Sequence, residues 1–263
     1  MIKKNYKNFA KKYEESAVVQ KEIIDRLMQR LSLINISPVK IIDIGSGIGL
    51  GTKNLIELYG NAELYMLDNS FESLNSRIID KKNLYRICAN FKNIPCGDNL
   101  FDFVFSSSAL HWDLDIKSSF EEIYRILKPG GLFLFSTYGP DTLIELRSAW
   151  SLIDNNKHVN DFYDMHDLGD LMLNLNFFDT VVDSEKIIID YEDVIHLQRD
   201  LKNIGSKVLR EDDQYKGLLG TDKMNLMYDQ YEKFRSETGN IPATYEVIYG
   251  SAWKKIDIVK LNN

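Results

Sequence analysis

The sequence has few cysteines and no long apolar run, and each absence excludes a class of protein. Cys88 and Cys96, the two cysteines among 263 residues, are spaced neither as a redox pair nor as a metal-binding knuckle, so we expect two reduced thiols and no metal ion. No run of about 18 apolar residues is present, which predicts no membrane-spanning helix and no membrane partner. The first residues, Met-Ile-Lys-Lys, lead into no apolar segment of the kind that a secretion signal has. Together these features predict a cytoplasmic protein.

An excess of basic residues is also absent. The chain has 32 Lys and Arg against 39 Asp and Glu, a formal net charge of −7, which argues against nucleic acid as a partner. The basic residues are nevertheless uneven, because five lysines precede the first acid, Glu14: Lys3, Lys4, Lys7, Lys11 and Lys12. Such a run is typical of a solvated helix face, and the alternative is a docking surface for an acidic partner.

What the sequence does contain is an alternation of short apolar runs and helical patterns. A strand is predicted over 39–44, followed by Gly45-Ser-Gly47-Ile-Gly49 and a helix over 50–59. Further strands are predicted over 63–67, 84–88, 101–105 and 132–137, and further helices over 71–79 and 116–127. Lys128-Pro-Gly-Gly131 should end the last of these helices. Repeated βα units with short connections predict a parallel sheet covered on both faces.

Helical segments stand on both sides of this predicted sheet in the sequence. Residues 5–34 have the apolar spacing of one or two helices. Later helices are predicted over 141–153, with Asp141 as N-cap, and over 168–175, 193–204 and 222–237; later strands are predicted over 181–189 and 245–250. Ligands bind at the carboxyl edge of such sheets, so the additional helices are expected to form a cap over a site there.

The glycine-rich turn after the first strand is the strongest local signal. Strand, glycine turn and helix together lay backbone N–H groups against an anionic or polar cofactor. In the dinucleotide fingerprint the third glycine would stand at position 50 or 52, and these positions are Leu50 and Thr52, which disfavours a dinucleotide oxidoreductase. The observed order, Asp43-x-Gly45-x-Gly47-x-Gly49, resembles the first motif of the class I S-adenosylmethionine-dependent methyltransferases.

Later segments extend the resemblance to these methyltransferases. Leu64-Tyr-Met-Leu-Asp68 ends in an acid 21 residues after Gly47, where a carboxylate can accept from both ribose hydroxyls of the cofactor. Asn90-Phe91 follows the third strand, where this family often has an Asp that meets the adenine amino group; the Asn90 carbonyl can accept the same bond. The segments 101–112 and 126–131 resemble the family's fourth strand with its active-site loop and the hinge before its fifth strand.

The resemblance implies an α/β, Rossmann-like class I methyltransferase fold, with a mostly parallel seven-stranded sheet flanked by helices. It also implies S-adenosylmethionine as the cofactor. The residues expected to bind this cofactor are Gln20, Asp43, Gly45, Ser46, Gly47, Gly49, Asp68, Asn69, Asn90, Phe91 and Ser106.

The segments outside the sheet show a closer resemblance. The blocks concerned are Asn8-Phe-Ala-Lys-Lys-Tyr13 with Val19-Gln20, Ala109-Leu-His-Trp112, Thr142-Leu-Ile-Glu-Leu-Arg147, His158-Val-Asn160, Gln198-Arg-Asp-Leu-Lys202 and Pro242-Ala-Thr-Tyr245. They are similar to those of the malonyl-acyl-carrier-protein O-methyltransferases of biotin synthesis. The similarity spans nearly the whole chain, which implies a single domain, 1–263, with cap elements at about 1–34, 141–160 and 192–240. Asn90 departs from the family pattern, and so does Ser251, where a His is expected.

This closer resemblance implies methyl transfer to the free carboxylate of a malonyl thioester on acyl carrier protein. The resulting ester hides the charge, so that fatty-acid enzymes accept the chain as a pimeloyl precursor. A carboxylate with a pKa near about 4 is already a nucleophile at neutral pH, and no general base is needed. Acyl carrier proteins are acidic, so a basic docking surface is expected, with the N-terminal lysines, Arg199 and Lys202 as candidates.

The resemblance also assigns roles to single residues. Tyr13, His111 and Trp112 are expected at the reacting groups; the expected substrate contacts are Arg147, His158, Arg199, Lys202 and Tyr245. Several of these have an equally plain structural interpretation, as core aromatics for Tyr13 and Tyr245, a loop histidine for His158 and a surface cation for Arg147.

Two further functions remain open at this point. One is methylation of another small carboxylate, such as a tricarboxylic acid. The other is a non-catalytic, S-adenosylmethionine-binding assembly factor, which the intact glycines, Asp68 and the His111-Trp112 pair disfavour.

Overall fold

The sheet has seven strands in the order β3-β2-β1-β4-β5-β7-β6. The computed structural model describes residues 2–76, 79, 81–113, 115–205 and 220–256, with the backbone alone for residues 2–7 and 9. The strands are β1 (Lys40–Ile44), β2 (Glu63–Asp68), β3 (Leu84–Cys88), β4 (Phe101–Ser106), β5 (Leu127–Tyr138), β6 (Phe177–Tyr191) and β7 (Ile241–Lys254). Neighbouring strands from β3 to β5 are parallel, whereas β7 is antiparallel to both β5 and β6. The predicted fold class, a mostly parallel seven-stranded sheet flanked by helices, is confirmed.

Helices cover both faces of this sheet and its carboxyl edge. They are α1 (Ile2–Ser16), α2 (Val18–Leu31), α3 (Leu50–Leu58), α4 (Phe71–Ser76), α5 (Ile116–Ile126), α6 (Ile144–Ser151), α7 (Met165–Asn174), α8 (Val194–Asn203) and α9 (Thr221–Tyr231). Two 3-10 helices, Leu110–Trp112 and Glu232–Phe234, follow β4 and α9. The side chains of Lys3, Lys4 and Lys7, residues 77, 78 and 80, and residues 206–219 of the third predicted cap segment lie outside the described residues.

The core is split into two layers by the alternation of side chains along the strands. Along β1, Ile41 packs into one buried cluster, and Ile42 and Ile44 pack into the other on the opposite face. All three are fully buried. A central strand buried on both faces reads as a continuous apolar run, which is why its position was predictable from the sequence.

Strands β2 and β3 extend the sheet on one side of β1. The chain then returns, and β4 and β5 extend the sheet on the other side of β1. This reversal of strand order lies between β1 and β4, where ligands bind in open α/β sheets. Helix α1 packs against α4 and α8, so it crosses the carboxyl edge of the sheet, while α2 packs against β5 and α3. The N-terminal segment that was predicted to form a cap thus folds as two helices.

Some predicted boundaries were wrong. Asp141 is not an N-cap: α6 begins at Ile144, and Leu143 before it is left-handed at φ 54°. The backbone N–H of Asp141 donates to Glu246 Oε2 at 2.7 Å instead, and the Asp141 carboxylate pairs with Lys186 at 2.7 Å. Helix α5 ends at Ile126, because Leu127 already pairs with Phe101 in the sheet.

The two last strands are longer than predicted. The apolar pattern indicated 181–189 and 245–250, whereas β6 and β7 pair from Phe177–Lys254 at one end to Tyr191–Ile241 at the other. Most β6 side chains are exposed or half-buried, so the strand is held by its backbone ladder and carries little apolar periodicity. Such ends cannot be located from side-chain pattern.

Candidate functional site

The glycine turn after β1 is fixed by the strands on either side of it. The N–H groups of Gly45 and Ser46 donate to Leu67 O at 2.8 and 3.0 Å. Gly45 has φ 70°, and a Cβ there would lie 2.1 Å from Ala109 Cβ, in the segment after β4. Gly45 therefore allows the turn to pack against that segment, which leads into the Leu110–Trp112 helix.

The next two glycines shape the start of α3. Gly49 is left-handed at φ 83° and precedes the first residue of α3. Gly47 is also left-handed, at φ 55°, and a Cβ there would meet nothing within 4 Å. The backbone at Gly47 thus borders open space, where a ligand can approach the chain closely.

Asp68, at the end of β2, is joined to this turn. One carboxylate oxygen accepts from the Gly47 N–H and the other from the Ser70 N–H, each at 2.8 Å. Burial raises the Asp68 pKa, and the two N–H donors oppose that rise. The predicted ribose acceptor therefore also positions the glycine turn, and each of its oxygens keeps further lone pairs for a ligand.

Asp43 is the second acid of the site and is 2% exposed. Its Oδ2 accepts from Thr52 Oγ1 at 2.5 Å. Burial raises the pKa of Asp43 to about 7; the hydrogen bond from Thr52 opposes this rise, and the Asp68 carboxylate adds to it.

Tyr13 on α1 and Gln20 on α2 line a pocket together with Asp43. The pocket has an empty volume of about 400 Å³ and is lined by six of the predicted residues, Tyr13, Gln20, Asp43, Gly45, Ser46 and Gly47. Burial and then the Asp68 carboxylate raise the pKa of Tyr13 to about 12, so the phenol stays protonated. The N-terminal helices thus close one side of the pocket.

This pocket contains buried polar atoms that lack a hydrogen-bond partner within the described part of the chain. Gln20 Oε1 and Ser46 Oγ have no hydrogen-bond partner among the residues that the structure describes. Buried polar atoms in native proteins are nearly always paired, so both point to a ligand that supplies hydrogen-bonding groups. The open space at Gly47 gives that ligand room.

His111 and Trp112 lie in the Leu110–Trp112 helix after β4. The His111 ring is buried and packs on Trp112, Tyr138 and Phe162, with ring centroids 5.1, 4.7 and 6.1 Å away. Gln20 Nε2 donates to Tyr138 Oη at 3.2 Å, which joins this aromatic group to the pocket wall. Burial raises the pKa of Tyr138, so its phenol is also neutral.

Comparison with known proteins decides the family. A family model described as "Methyltransferase domain" matches residues 42–135. Malonyl-[acyl-carrier protein] O-methyltransferase 1 of Coxiella burnetii is 39% identical over 252 residues, 96% of this chain and 86% of the relative. The corresponding protein of Nitrosospira multiformis is 38% identical, over 96% of this chain and 88% of the relative. The chain belongs to the malonyl-[acyl-carrier protein] O-methyltransferase family. The family membership predicted from the segments outside the sheet is confirmed.

Solved structures support the fold of this methyltransferase independently of sequence. The YcgJ protein from Bacillus subtilis superposes with a TM-score of 0.61 at 13% identity, over 87% of this chain and 97% of that chain. A putative methyltransferase from Bacillus halodurans superposes with a TM-score of 0.58 at 15% identity, over 88% and 98%. At these identities the likeness concerns the fold alone.

In this methyltransferase three of the predicted cofactor-binding residues, Asn69, Asn90 and Phe91, lie apart from the pocket lining. Asn69 and Asn90 are exposed after β2 and β3, and Phe91 is half-buried against the core. The Asn90 Oδ1 already accepts from the Lys92 N–H at 2.9 Å, in a local turn. All three residues follow the carboxyl ends of β2 and β3, which pair side by side up to Asp68 and Cys88.

Ser106, which was predicted to bind the cofactor, does not line the pocket. It is fully buried, and its hydroxyl donates to Ile44 O at 2.9 Å, which joins β4 to β1. The next two residues, Ser107 and Ser108, line the pocket instead. Sequence reasoning missed these two, although the run Ser106-Ser107-Ser108 at a strand end was a visible signal.

The predicted substrate residues fall into three places. Tyr245 is buried, with its ring centroid 6.0 Å from that of Tyr138, so it adjoins the site. Arg147 and His158 line a second pocket, with an empty volume of about 550 Å³. Arg199 and Lys202 are exposed on α8.

Contacts in the second pocket are made within the protein itself. Arg147 pairs with Asp161 at 3.3 Å and donates to Asn160 O at 3.2 Å. The His158 ring stacks on Trp150 at 3.7 Å, and its Nε2 lies 2.9 Å from Asp154 Oδ1. These two residues therefore hold the loop that carries Phe162, and the structure does not bring them into the first pocket.

Metal-binding and membrane-spanning features can be assessed for the part of the chain that the structure describes. There, no group of three or more His, Cys, Asp or Glu side chains is arranged to hold a metal ion. No helix within the same residues combines the length and the apolar character needed to cross a bilayer.

The raised pKa of Asp43 predicts a pH-dependent stability. Between about pH 4 and pH 7 the folded protein holds a proton on Asp43 that the unfolded chain has lost. The free energy of unfolding should therefore fall as pH rises through this window, by up to about 1.4 kcal/mol per pH unit from this group. Asparagine does not ionise, so in Asp43→Asn the unfolding free energy measured with urea should lose this slope against pH. The same slope in both proteins would mean that Asp43 is ionised throughout.

Proposed function

We propose that this chain transfers a methyl group from S-adenosylmethionine to the free carboxylate of a malonyl thioester carried by acyl carrier protein, the step that primes pimeloyl and biotin synthesis. The main support for the proposal is that the N-terminal helices and the glycine turn line the same pocket. Tyr13 and Gln20 come from the helices of the family-specific N-terminal block, and Gly45, Ser46 and Gly47 come from the general methyltransferase motif.

The residues of the first pocket suit a cofactor that carries positive charge. Asp43 and Asp68 place two acids beside it, and no Lys or Arg is among its lining residues that the structure describes. Gln20 Oε1 and Ser46 Oγ can take up hydrogen bonds there. When bound, S-adenosylmethionine supplies an electrophilic methyl group on a cationic sulfur.

The acceptor needs orientation more than activation. A malonyl carboxylate is ionised at neutral pH, because carboxyl pKa values are about 4. Its oxygen forms the new C–O bond while the carbon–sulfur bond breaks and its electron pair goes to sulfur, so no proton has to be moved. Tyr13 and Tyr138, both kept neutral by burial, can orient an anion without adding a charge.

Positioning of the two reactants in a pocket from which water is excluded should contribute most of the acceleration. Opposite charges on the sulfur and the carboxylate are lost as the methyl group moves, which a low-dielectric site favours. The buried rings of His111 and Tyr138 pack with the half-buried ring of Phe162 into one aromatic group that can exclude water beside the pocket. Proximity in such a site is the main source of rate when no acid or base is required.

The decisive test is mass spectrometry of malonyl-acyl carrier protein after incubation with the enzyme and S-adenosylmethionine. We expect the carrier-bound malonyl group to gain one methyl group. Methylation of a free tricarboxylic acid with none on the carrier would favour a different small-carboxylate enzyme. Binding of the cofactor with no methylated product from any of these acids would favour a non-catalytic assembly factor.

Tyr13→Phe tests the part of the N-terminal helix that reaches the pocket. Loss of a hydroxyl that donates to an anion should lower kcat by about tenfold, with the Kd for S-adenosylmethionine within about twofold of wild type. The matched control is Tyr231→Phe, which removes a buried hydroxyl that donates to Pro242 O at 2.9 Å, outside the pocket. Equal kcat values for Tyr13→Phe and wild type would reduce Tyr13 to a packing residue.

A further inference from the structure

Helix α8 presents a basic outer face. Its apolar residues Val194, Leu197 and Leu201 are buried against the core, and this places Arg199 and Lys202 on the exposed side. Among the residues that the structure describes, neither cation has an acid within ion-pair distance. Such unpaired cations contrast with Arg26, Arg30 and Arg125, each of which is paired with an acid.

The acid between these two cations does not neutralise them. Asp200 is half-buried and lies toward the phenol of Tyr191; burial, and after it the Asp200 carboxylate, raises the pKa of Tyr191 to about 12. Asp200 therefore belongs to the inner side of α8. The outer face keeps the full charge of Arg199 and Lys202.

Helix α1 meets α8 at the end of this face. Asn203 Nδ2, at the last residue of α8, donates to Ser16 Oγ, at the last residue of α1, at 2.9 Å. Lys12 and Arg199 each precede one of the bonded residues by four positions, so each lies one helical turn back on the same helix face. Lys12 is exposed and forms no ion pair within the described part of the chain, whereas Lys11 pairs with Glu15 at 3.7 Å.

Lys12, Arg199 and Lys202 form what we call the α1–α8 patch. Its Lys12 directly precedes Tyr13 on α1, and Tyr13 lines the cofactor pocket. A carrier protein bound to the patch could therefore extend a covalently attached thioester toward the cofactor pocket. The chain as a whole carries a net charge of −7, so an acidic partner is repelled except where cations are locally unpaired.

We propose that the α1–α8 patch docks an acidic acyl carrier protein while its malonyl thioester enters the pocket. This proposal rests on the function proposed above and adds where the partner binds. Complementary charge at a docking surface acts mainly on encounter with the charged partner, so the patch should affect carrier-bound substrate and spare a substrate without the carrier.

The test compares two double variants on two substrates. Arg199→Glu/Lys202→Glu reverses the patch and leaves Lys12, beside Tyr13, in place. Lys82→Glu/Lys255→Glu is the control, since it makes the same charge change at two exposed lysines away from α1 and α8. The substrates are malonyl-acyl carrier protein and a malonyl thioester of a short thiol.

We expect Arg199→Glu/Lys202→Glu to raise the KM for malonyl-acyl carrier protein by about tenfold or more, and the control to raise it by less than about twofold. Arg199 and Lys202 line neither the first nor the second pocket, so the proposal replaces their predicted contact with the malonyl group by a contact with the carrier. Both variants should therefore keep kcat and KM for the short thioester, which also shows that they are folded. The salt dependence of the carrier KM should be weaker in the patch variant than in wild type.

Each other outcome overturns a specific statement. Equal increases in KM for both substrates would show that the patch acts on the site and not on the carrier. Equal increases in both variants would show an effect of overall charge. No methylation of either substrate by the wild-type enzyme would refute the proposed function itself.

Discussion

Asp68→Ala should weaken S-adenosylmethionine binding by about 100-fold, which corresponds to roughly 3 kcal/mol, and abolish methyl transfer at ordinary cofactor concentrations. Two losses combine in this variant. The carboxylate that is predicted to bind the ribose is removed, and so are the acceptors for the N–H groups of Gly47 and Ser70. Isothermal titration calorimetry with S-adenosylmethionine measures the loss of cofactor affinity directly.

A matched carboxylate at the opposite edge of the sheet provides the control. Asp102 Oδ2 accepts from the N–H groups of Val39 and Lys40 at 3.1 and 2.8 Å, and Asp102 also pairs with Lys128 at 2.7 Å. Asp102→Ala therefore loses comparable hydrogen bonds and should lower stability while keeping cofactor affinity within about threefold. Similar affinity losses in both variants would mean that the effect of Asp68 is general destabilisation.

Gly45→Ala and Gly47→Ala should separate stability from cofactor binding. Both residues are left-handed, at φ 70° and φ 55°, so both alanines carry a backbone cost of about 1–2 kcal/mol. Only the Gly45 side chain would collide, with Ala109 Cβ at 2.1 Å, which adds about 1–3 kcal/mol of overpacking.

Gly45→Ala is therefore expected to lose about 3 kcal/mol of stability and Gly47→Ala about half as much. Gly47→Ala should nevertheless bind S-adenosylmethionine poorly, because its new methyl group occupies the open space beside the turn. Urea unfolding and cofactor titration on both proteins check this. If Gly47→Ala bound the cofactor like wild type, the ligand would not approach this part of the backbone.

The sequence was most informative where local chemistry alone determines structure. A buried central strand and a turn with three left-handed glycines leave a pattern in consecutive residues, so β1 and the start of α3 were predicted closely. The end of β6 was not, because its side chains are mostly exposed and its partner strand is distant in sequence. Asp141 misled for a related reason, since Glu246, 105 positions later, provides the acceptor for its N–H group.

The glycine turn and the two acids next to it were easier to predict than the aromatic residues of the cap side. Motif spacing predicted Asp43, Gly45 and Gly47, which line one pocket, and Asp68, which accepts from the Gly47 N–H. Tyr138 and Phe162 were missed, because their importance lies in packing on His111, which no local pattern records. A motif resemblance predicted that Arg147 contacts the substrate, but the motif does not show where the guanidinium lies. In the structure the guanidinium pairs with Asp161 and donates to a backbone carbonyl of the loop before Phe162.

The hydrogen bond between Ser16 and Asn203 has a consequence for the order of folding. It joins residues separated by 187 positions, so α1 gains this anchor only after nearly the whole sheet has been synthesised. Contacts of such long sequence separation form late, because the loop-closure entropy must be offset by structure already made. Because α1 also packs against α4, which is close to it in sequence, that part of the α1 packing can form early. Only the junction of α1 with α8 should be completed late, after the parallel strands β1 to β5 and the glycine turn have assembled.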